Sequence, residues 1–283
     1  MKGLRPPRRP PKPARPRRAG PPPTPGEPSA RALERWLYGR HAVAAALANP
    51  ARRWRRLAIL AGQETAAAAL IAAARARRLG DGAPLTVLDR PALSALLPEN
   101  AVHQGWALDT EPLAQPDLDT VLDRAAAAAH AVILVLDQVT DPHNVGAIMR
   151  SAAAFGASAV VVAAHNAPPL TAALAKAASG ALEFVPLVRV VNLARTLDRL
   201  KEAGFWCCGL DESGAEDLAA LDLGARVGLV LGAEGGGLRR LVRERCDCLA
   251  RLPTHPQLPS LNVSNAAAIA LYELARRATG AAG

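Results

Sequence analysis

Three polar loops, each containing glycine or proline, constrain the fold of this chain more than any other feature. They lie within residues 136–150, 229–238 and 258–265, each after a short apolar run and each before a segment with helical spacing. Short apolar strands that alternate with helices are typical of an α/β domain with a parallel sheet. Loops at the carboxyl ends of parallel strands meet at one edge of the sheet, so we expect the three loops to form one site.

The second half of the chain divides into apolar runs of strand length, separated by helical patterns. The runs are continuous rather than alternating, which predicts a parallel sheet covered on both faces. We predict strands at residues 131–136, 159–163, 184–189, 205–210, 226–231 and 248–252. We predict helices at residues 145–155, 170–178, 193–203, 239–243 and 263–278.

A smaller α/β unit is predicted upstream. Its predicted helices cover residues 38–47, 64–78 and 90–97, and its predicted strands are 57–60, 85–88 and a last strand after residues 103–105. The chain then divides into four parts. These are a tail at 1–33, an α/β domain at 34–112, a linker at 113–130 and a second α/β domain at 131–283.

Most of the net charge belongs to the N-terminal tail. The formal net charge is +9, and residues 1–28 contain eight basic side chains and one acidic side chain. The tail is rich in Pro, Arg and Gly, which predicts disorder, either as a solubilising extension or as an arm that attracts RNA phosphates. It lacks the apolar stretch of a signal peptide, and no run of about 20 apolar residues predicts a membrane span, so we expect a cytoplasmic protein.

The four cysteines are predicted to be unreactive. Cys207, Cys208, Cys246 and Cys248 do not form the paired CxxC motifs of a zinc ribbon. Cys207 and Cys208 fall within the apolar run 205–210, so we expect buried thiols in a reducing compartment.

Each loop, considered alone, also has a plain structural interpretation. Asn144 could cap a helix, Arg150 could be a solvated helix residue, and Ser260 and Asn262 could cap the last helix. The glycine-rich segment 232–237 could be a simple turn, since it fits neither GxGxxG nor a Walker-type loop. An extended stretch pinned by three prolines before the last helix favours a ligand-binding loop instead.

Together the three segments resemble motifs one, two and three of the SpoU-type RNA ribose 2′-O-methyltransferases of the SPOUT superfamily. The resemblance covers residues 131–283. Residues 38–43 and 103–105 are similar to an L30e-like RNA-binding domain, found in the subgroup that methylates a guanosine of 23S rRNA. The resemblance implies a trefoil-knotted α/β fold, a homodimer with its active site at the interface, S-adenosylmethionine bound in the knot, and no metal.

Site residues are carried over from the matching motifs. The implied catalytic residues are Asn144, Arg150, Glu234, Ser260 and Asn262. The implied cofactor-binding residues are Leu231, Gly232, Glu234, Leu252 and Leu261. Pro256 departs from the family, which usually has glycine there. Proline has no N–H and cannot adopt positive φ, so the family does not predict the path of that loop or a role for His255.

The implied activity is S-adenosylmethionine-dependent methylation of a ribose 2′-hydroxyl, most closely that of a guanosine in 23S rRNA. A tRNA methyltransferase is the alternative within the class, and a non-catalytic RNA-binding assembly factor is the alternative outside it. Arg150 is expected to orient the hydroxyl and stabilise the alkoxide, because a guanidinium stays positively charged and is a poor base. Asn144 and Ser260 are expected to fix its guanidinium, and Glu234 and Asn262 to hold the loops.

Overall fold

Two sheets, each with its own helices and core, make up the part of the chain that the structure describes. The computed structural model describes residues 35–76, 84–165, 172–255, 257 and 260–280. The predicted tail at 1–33 and the departure at Pro256 lie outside the described residues.

The small sheet has four strands in the order β1-β4-β2-β3. Its strands are β1 (Trp36–Tyr38), β2 (Trp54–Leu60), β3 (Leu85–Leu88) and β4 (Trp106–Thr110). Its helices are α1 (Arg40–Ala48), α2 (Glu64–Ala76) and α3 (Arg90–Ala95). β4 pairs antiparallel with β1 and β2, and β2 pairs parallel with β3, so the sheet is mixed. The sequence analysis missed β1, which has only three residues.

The large sheet has seven strands in the order β7-β6-β5-β10-β8-β11-β9, and every pairing among them is parallel. Its strands are β5 (Ala131–Leu136), β6 (Ala159–Ala163), β7 (Leu187–Val190), β8 (Trp206–Leu210), β9 (Glu216–Asp217), β10 (Arg226–Leu231) and β11 (Cys248–Arg251). The helices packed with it are α4 (Leu118–Ala126), α5 (Pro142–Ala154), α6 (Ala172–Ala177), α7 (Leu193–Glu202), α8 (Arg240–Arg243) and α9 (Val263–Gly280).

Both faces of the large sheet are covered, as the continuous apolar runs predict. Along β5, Leu134 and Leu136 belong to one core, whereas Ile133 and Val135 belong to the core on the other face. Successive side chains of a strand point to opposite faces, so a strand buried on both sides must be apolar throughout. The helices α5 and α9 pack together on the first of these faces.

Two stretches differ from the sequence-based expectations. The predicted linker at 113–130 contains α4, whose Leu118, Val121 and Ala125 are buried in a core of the large sheet. Their spacing of three and four residues marks one apolar helix face. The strand predicted at 184–189 begins only at Leu187, because residues 181–183 form a 3-10 turn.

The two thiols predicted to be buried, Cys207 and Cys208, lie in the cores on the two faces of the large sheet. Cys207 and Cys208 are fully buried, and Cys246 and Cys248 are partly buried. Burial raises the pKa of Cys207 and of Cys246 to about 12, and it raises the pKa of Cys208 as well. Because the thiolate is the reactive form, these side chains act as core residues rather than nucleophiles.

Aromatic side chains are distributed unevenly between the sheets. Trp36, Trp54 and Trp106 are all buried in the small sheet. Trp206 is the fourth tryptophan of the chain and is 49% exposed at the first residue of β8. The core of the large sheet is therefore built mainly from aliphatic side chains.

A buried histidine joins the loop before β4 to the helix α3 in the small sheet. The Nδ1 atom of His103 accepts the N–H of Gly105 at 3.0 Å, and its Nε2 atom lies 3.3 Å from Ser94 Oγ. The neighbouring Gln104 accepts the N–H of Arg40 through its Oε1 atom at 3.2 Å. An Nδ1 atom that accepts a hydrogen bond carries no proton, so the ring is neutral in this arrangement.

We expect His103 to make stability depend on pH. Burial, and then the positive charge of Arg90, lowers the pKa of His103 below its ordinary value. The unfolded chain therefore binds this proton more tightly, and the contribution of His103 to stability is lost as the pH falls below about 6.5. Urea unfolding between about pH 7 and pH 5 should show that the free energy of unfolding decreases less in His103→Gln than in the wild type. Equal decreases in both proteins would contradict this prediction.

Candidate functional site

The three polar loops meet at the carboxyl edge of the large sheet. β5 and β10 are neighbours in the middle of the sheet, with Leu136 opposite Leu231. The loops that follow these two strands therefore leave the sheet side by side. The chain before α9 returns to the same edge, where the N–H of Val263 donates to Glu234 Oε1 at 3.3 Å.

Asn144, Glu234 and Asn262, here called the Glu234 cluster, join the three loops through side-chain hydrogen bonds. Glu234 Oε1 accepts from Asn144 Nδ2 at 3.2 Å and also from Asn262 Nδ2. Asn262 Nδ2 also donates to Asn144 Oδ1 at 3.1 Å. The structure thus brings together three of the five residues predicted to be catalytic, from segments far apart in the sequence.

Helix capping fixes the side chain of Asn262 but not that of Asn144. Asn262 Oδ1 accepts the N–H of Ser264 at 2.9 Å, so this side chain caps α9 while its amide nitrogen faces the cluster. Asn144 is not a cap, because Asp141 precedes α5 and accepts the N–H of His143 at 2.9 Å. The capping interpretation is therefore confirmed for Asn262 and wrong for Asn144.

A cleft of about 490 Å³ opens between the loops. It is lined by all five residues predicted to bind the cofactor: Leu231, Gly232, Glu234, Leu252 and Leu261. Its volume lies in the range of about 300–1,000 Å³ that small-molecule sites occupy. The cleft combines apolar side chains with exposed backbone, which suits a ligand that has both a flat ring and polar groups.

The loop after β10 folds back on itself and requires glycine. A Cβ atom on Gly232 would lie 2.2 Å from the carbonyl carbon of Gly237 and 2.3 Å from its oxygen. The N–H of Gly237 donates to the carbonyl of Ala233 at 2.9 Å, and Gly237 has a φ of +60°. Only glycine allows such a close approach without strain, so the backbone itself forms this wall of the cleft.

Asp137, to which the sequence analysis assigned no role, anchors the far end of that loop. Its side chain is fully buried, and it accepts the N–H of Arg239 at 2.8 Å and Arg239 Nε at 2.6 Å. A buried carboxylate needs such charge-assisted partners. The available signal was a lone acidic residue directly after an apolar run.

A second missed group lines the cleft after β8. Asp211 accepts hydrogen bonds from Ser213 and forms an ion pair with Arg243 at 2.9 Å. Burial alone would raise the pKa of Asp211, but the hydrogen bonds from Ser213 and the charge of Arg243 outweigh it and lower the pKa. The carboxylate is therefore negative at neutral pH, next to the cleft.

The remaining two predicted catalytic residues are not joined to the cluster. Arg150 lies six residues after Asn144 on α5, which corresponds to about 9 Å along the helix axis and about 240° around it. Arg150 is exposed and forms no hydrogen bond or ion pair with any residue that the structure describes. Ser260 is exposed and lines the cleft, without a hydrogen bond to any described residue.

We expect Gly232→Ala to disrupt the wall of the cleft. The added methyl group would meet backbone atoms of Gly237, so the free energy of unfolding of the ligand-free protein should fall by about 1–3 kcal/mol. Gly236→Ala is a matched control, because a Cβ atom there meets nothing within 4 Å. Its stability should stay within about 0.5 kcal/mol of the wild type in urea titrations. Equal losses in both variants would contradict the proposed crowding.

Neither a membrane span nor a metal cluster is found among the residues that the structure describes. None of these helices combines the length and the apolar character needed to cross a bilayer. In the same part of the chain, no group of three or more His, Cys, Asp and Glu side chains is placed to hold a metal ion.

Solved structures similar to this one include the SpoU methyltransferase AviRb from Streptomyces viridochromogenes. It matches with a TM-score of 0.71 and 26% identity, over 88% of this chain and 92% of AviRb. The complex of AviRb with the cofactor AdoMet matches with a TM-score of 0.67 and 28% identity over the same shares. This likeness extends over most of both chains.

Curated relatives cover both sheets. The 23S rRNA (guanosine-2′-O-)-methyltransferase RlmB of Vibrio cholerae is 40% identical over 241 residues, which is 85% of this chain and 96% of RlmB. A tRNA/rRNA methyltransferase of Synechocystis is 40% identical over 262 residues, and the chain spans 66% of its length. Residues 36–116 match the RNA 2′-O ribose methyltransferase substrate-binding family, and residues 131–272 match the SpoU rRNA methylase family. This chain belongs to the SpoU rRNA methylase family.

Proposed function

We propose that this chain transfers the methyl group of S-adenosylmethionine to the 2′-hydroxyl of a guanosine ribose in 23S rRNA. The observation that carries the proposal is the cleft between the three loops, with the Glu234 cluster at its edge. The name of the relative from Vibrio cholerae states this reaction, and AviRb has been solved with AdoMet. Because rRNA is made and assembled in the bacterial cytoplasm, the activity belongs there.

The residues of the cleft suit S-adenosylmethionine. Leu231, Leu252 and Leu261 provide apolar contact for the adenine, and the crowded backbone at Gly232 and Gly237 leaves polar main-chain groups near it. Small-molecule sites commonly orient their ligand through backbone N–H and C=O groups together with a few polar side chains. When bound, the cofactor supplies a methyl group that is already activated on a positively charged sulfur.

The work left to the protein concerns the ribose hydroxyl. The hydroxyl must be held in line with the donor, and the negative charge that develops as its proton leaves must be stabilised. Arg150 is the group for the second task, since a guanidinium stays charged and is a poor proton acceptor. Asn144 and Ser260 of the second copy would orient that guanidinium, while Glu234 and Asn262 hold the loops together.

The position of Arg150 favours a homodimer in which it acts on the second copy. Within one copy it is not bonded to the Glu234 cluster. On α9, the helix that packs against α5, Ile269 is 46% exposed and Tyr272 is 56% exposed, and Tyr272 packs edge to face with Phe155 at the end of α5. Exposed apolar side chains on neighbouring helices are typical of a surface covered by a symmetric partner.

The path of the chain near the cleft supports a trefoil knot, the topology that the family resemblance implies. β10 lies beside β5 at the centre of the sheet, and the chain then continues outward through β11 before α9 returns onto α5. The segment between β11 and α9 borders the cleft through Leu252 and Leu261. Knots are rare in proteins, so this topology rests on family membership as much as on strand order.

The small sheet supports rRNA rather than tRNA as the substrate. It corresponds to the matched substrate-binding region, residues 36–116, and forms a complete unit with its own core. A separate RNA-binding unit suits a folded target, which is recognised largely through its shape and unpaired bases.

The first experiment is methyl transfer from labelled S-adenosylmethionine to total RNA from a strain that lacks this gene, followed by nucleoside analysis. We expect 2′-O-methylguanosine in 23S rRNA. Label in tRNA would support the proposed reaction and contradict the proposed substrate. No label in any RNA, with a folded protein, would favour a non-catalytic RNA-binding factor.

We expect Arg150→Ala to abolish turnover and keep cofactor binding. Loss of the charge that stabilises the alkoxide should lower kcat about 100-fold or more, whereas the Kd of S-adenosylmethionine should change less than about twofold. Arg195→Ala is the control, because Arg195 is exposed on α7, away from the cleft. Near-normal turnover in Arg150→Ala would remove this residue from the mechanism.

Mixing two inactive variants tests whether Arg150 acts on the other copy. In a heterodimer of Arg150→Ala with Glu234→Gln, one site would regain both native residues if they come from different subunits. Random pairing should then restore about a quarter of wild-type activity. If both residues act within one subunit, coexpression restores nothing.

A further inference from the structure

A buried ion pair joins the two sheets at a point remote from the cleft. Glu183, whose side chain is 2% exposed, pairs with Arg52, whose side chain is 8% exposed. Arg52 Nε lies 3.2 Å from both carboxylate oxygens, and Asn49 Nδ2 donates to Glu183 Oε2 at 2.7 Å. Arg52 also donates through Nη1 to the carbonyl of Glu111 at 2.8 Å. The small sheet thus contacts the large one through side chains as well as through the connecting chain.

Close backbone packing accompanies the ion pair. Gly180 has a φ of +88°, and a Cβ atom there would lie 2.5 Å from Ala45 Cβ and 3.3 Å from the carbonyl oxygen of His41. Ala45 and His41 both belong to α1, the first helix of the small sheet. Lys176 Nζ lies 5.8 Å from the centre of the Tyr38 ring, within the range of a cation–π contact.

The same stretch also packs against the helix that carries Asn144. Residues 172–183, here called the bridge segment, include α6 and the 3-10 turn that ends at Glu183. A Cβ atom on Gly146 of α5 would lie 2.4 Å from Ala177 Cβ and 2.8 Å from its carbonyl carbon. The bridge segment therefore contacts α1 on one side and α5 on the other, with no room for a side chain at either glycine.

The ion pair is expected to fix the relative position of its partners more than to raise the free energy of unfolding. Moving two charges out of water is unfavourable, and apolar residues of similar volume often stabilise a protein at least as well. An arginine that contacts both oxygens of one carboxylate, however, restricts both the distance and the angle between its partners. The hydrogen bond that Asn49 Nδ2 donates to Glu183 restricts the orientation of the carboxylate further.

We propose that Glu183 is a positioning residue that holds the RNA-binding sheet in register with the methyl-transfer site. The distance between the surface that grips RNA and the cleft then selects which ribose reaches the cofactor. Arg52 and the bridge segment link the position of the small sheet to α5. The bridge segment meets α5 at Gly146, two residues from Asn144 of the Glu234 cluster. This inference rests on the proposed function and adds to it a rule for choosing the target nucleotide.

Glu183→Gln tests the proposal directly, with Glu202→Gln as the control. The amide keeps the size of the side chain and loses the charge that pairs with Arg52. Glu202 is exposed on α7 and forms no hydrogen bond or ion pair with the described residues. For each variant, the Kd of S-adenosylmethionine, the kcat on 23S rRNA and the position of the methylated nucleotide are measured.

In Glu183→Gln we expect the affinity for S-adenosylmethionine to stay within about twofold of the wild type, with kcat on rRNA lowered about tenfold or more. We also expect methyl groups at guanosines other than the wild-type target. Wild-type kcat at the wild-type position would overturn the proposal. A parallel loss of cofactor affinity would overturn it too, because the contact would then be a general support of the fold.

A second variant disturbs the contact between the bridge segment and α1 without changing any charge. Gly180→Ala should push α1 away from the bridge segment and produce the same loss of kcat. Adding Ala45→Gly removes the closest clash and should restore part of that loss. No loss in Gly180→Ala, or no recovery in the double variant, would argue against register as the cause.

Small-angle scattering separates this inference from the proposed function. Without any substrate, Glu183→Gln and Gly180→Ala should show a wider distribution of distances than the wild type and Glu202→Gln. If the wild type methylates no RNA, the proposed function fails while scattering still reports whether the ion pair fixes the two sheets. Identical scattering for all four proteins would overturn the positioning role.

Discussion

One carboxylate oxygen holds the candidate active site together. Glu234 Oε1 accepts hydrogen bonds from Asn144 of one segment and from the side chain of Asn262 and the main chain of Val263 in another, and Glu234 itself belongs to the third. Hydrogen bonds to a charged acceptor are roughly twice as strong as neutral ones, so a single side chain can set the spacing of all three loops. The parallel sheet brings these loops to one edge, and Glu234 determines how they face each other there.

Much of the site consists of main chain, which explains why few side chains identify it. The loop after β10 turns back so tightly that Gly232 cannot carry a Cβ atom. Asp137 then closes the loop by binding Arg239 from within the core. These two constraints act on the shape of the cleft rather than on the chemistry that we propose for Arg150.

The sequence predicted those parts of the fold that depend on local pattern. The strands at 131–136, 159–163 and 226–231 have the predicted bounds, because runs buried on both faces are apolar from end to end. It also predicted that the three polar loops form one site, because loops after parallel strands share an edge, whereas Asn144, Glu234 and Asn262 were implied as its members by the family resemblance. A pattern of single residues was sufficient for these conclusions.

Features that depend on contacts distant in sequence escaped prediction. The helix α4 lies in a stretch predicted to be a linker. Only one narrow face of it is apolar, and that face becomes buried only by packing on the large sheet. The pairing of Arg52 with Glu183 joins residues 131 positions apart, and no local pattern marks either one. The orientation of Arg150 away from the cluster follows from helical geometry, since six residues of a helix turn the side chain about 240° around its axis.

The distribution of tryptophan gives this protein an intrinsic optical label for one of its two parts. Trp36, Trp54 and Trp106 are enclosed by the small sheet, where an indole emits at short wavelength. Trp206 alone belongs to the large sheet, half in water at the end of β8 away from the cleft. Three of the four indoles therefore report on the small sheet, and the fourth lies away from the cleft. A change in the packing of the small sheet can thus be followed in real time without a dye.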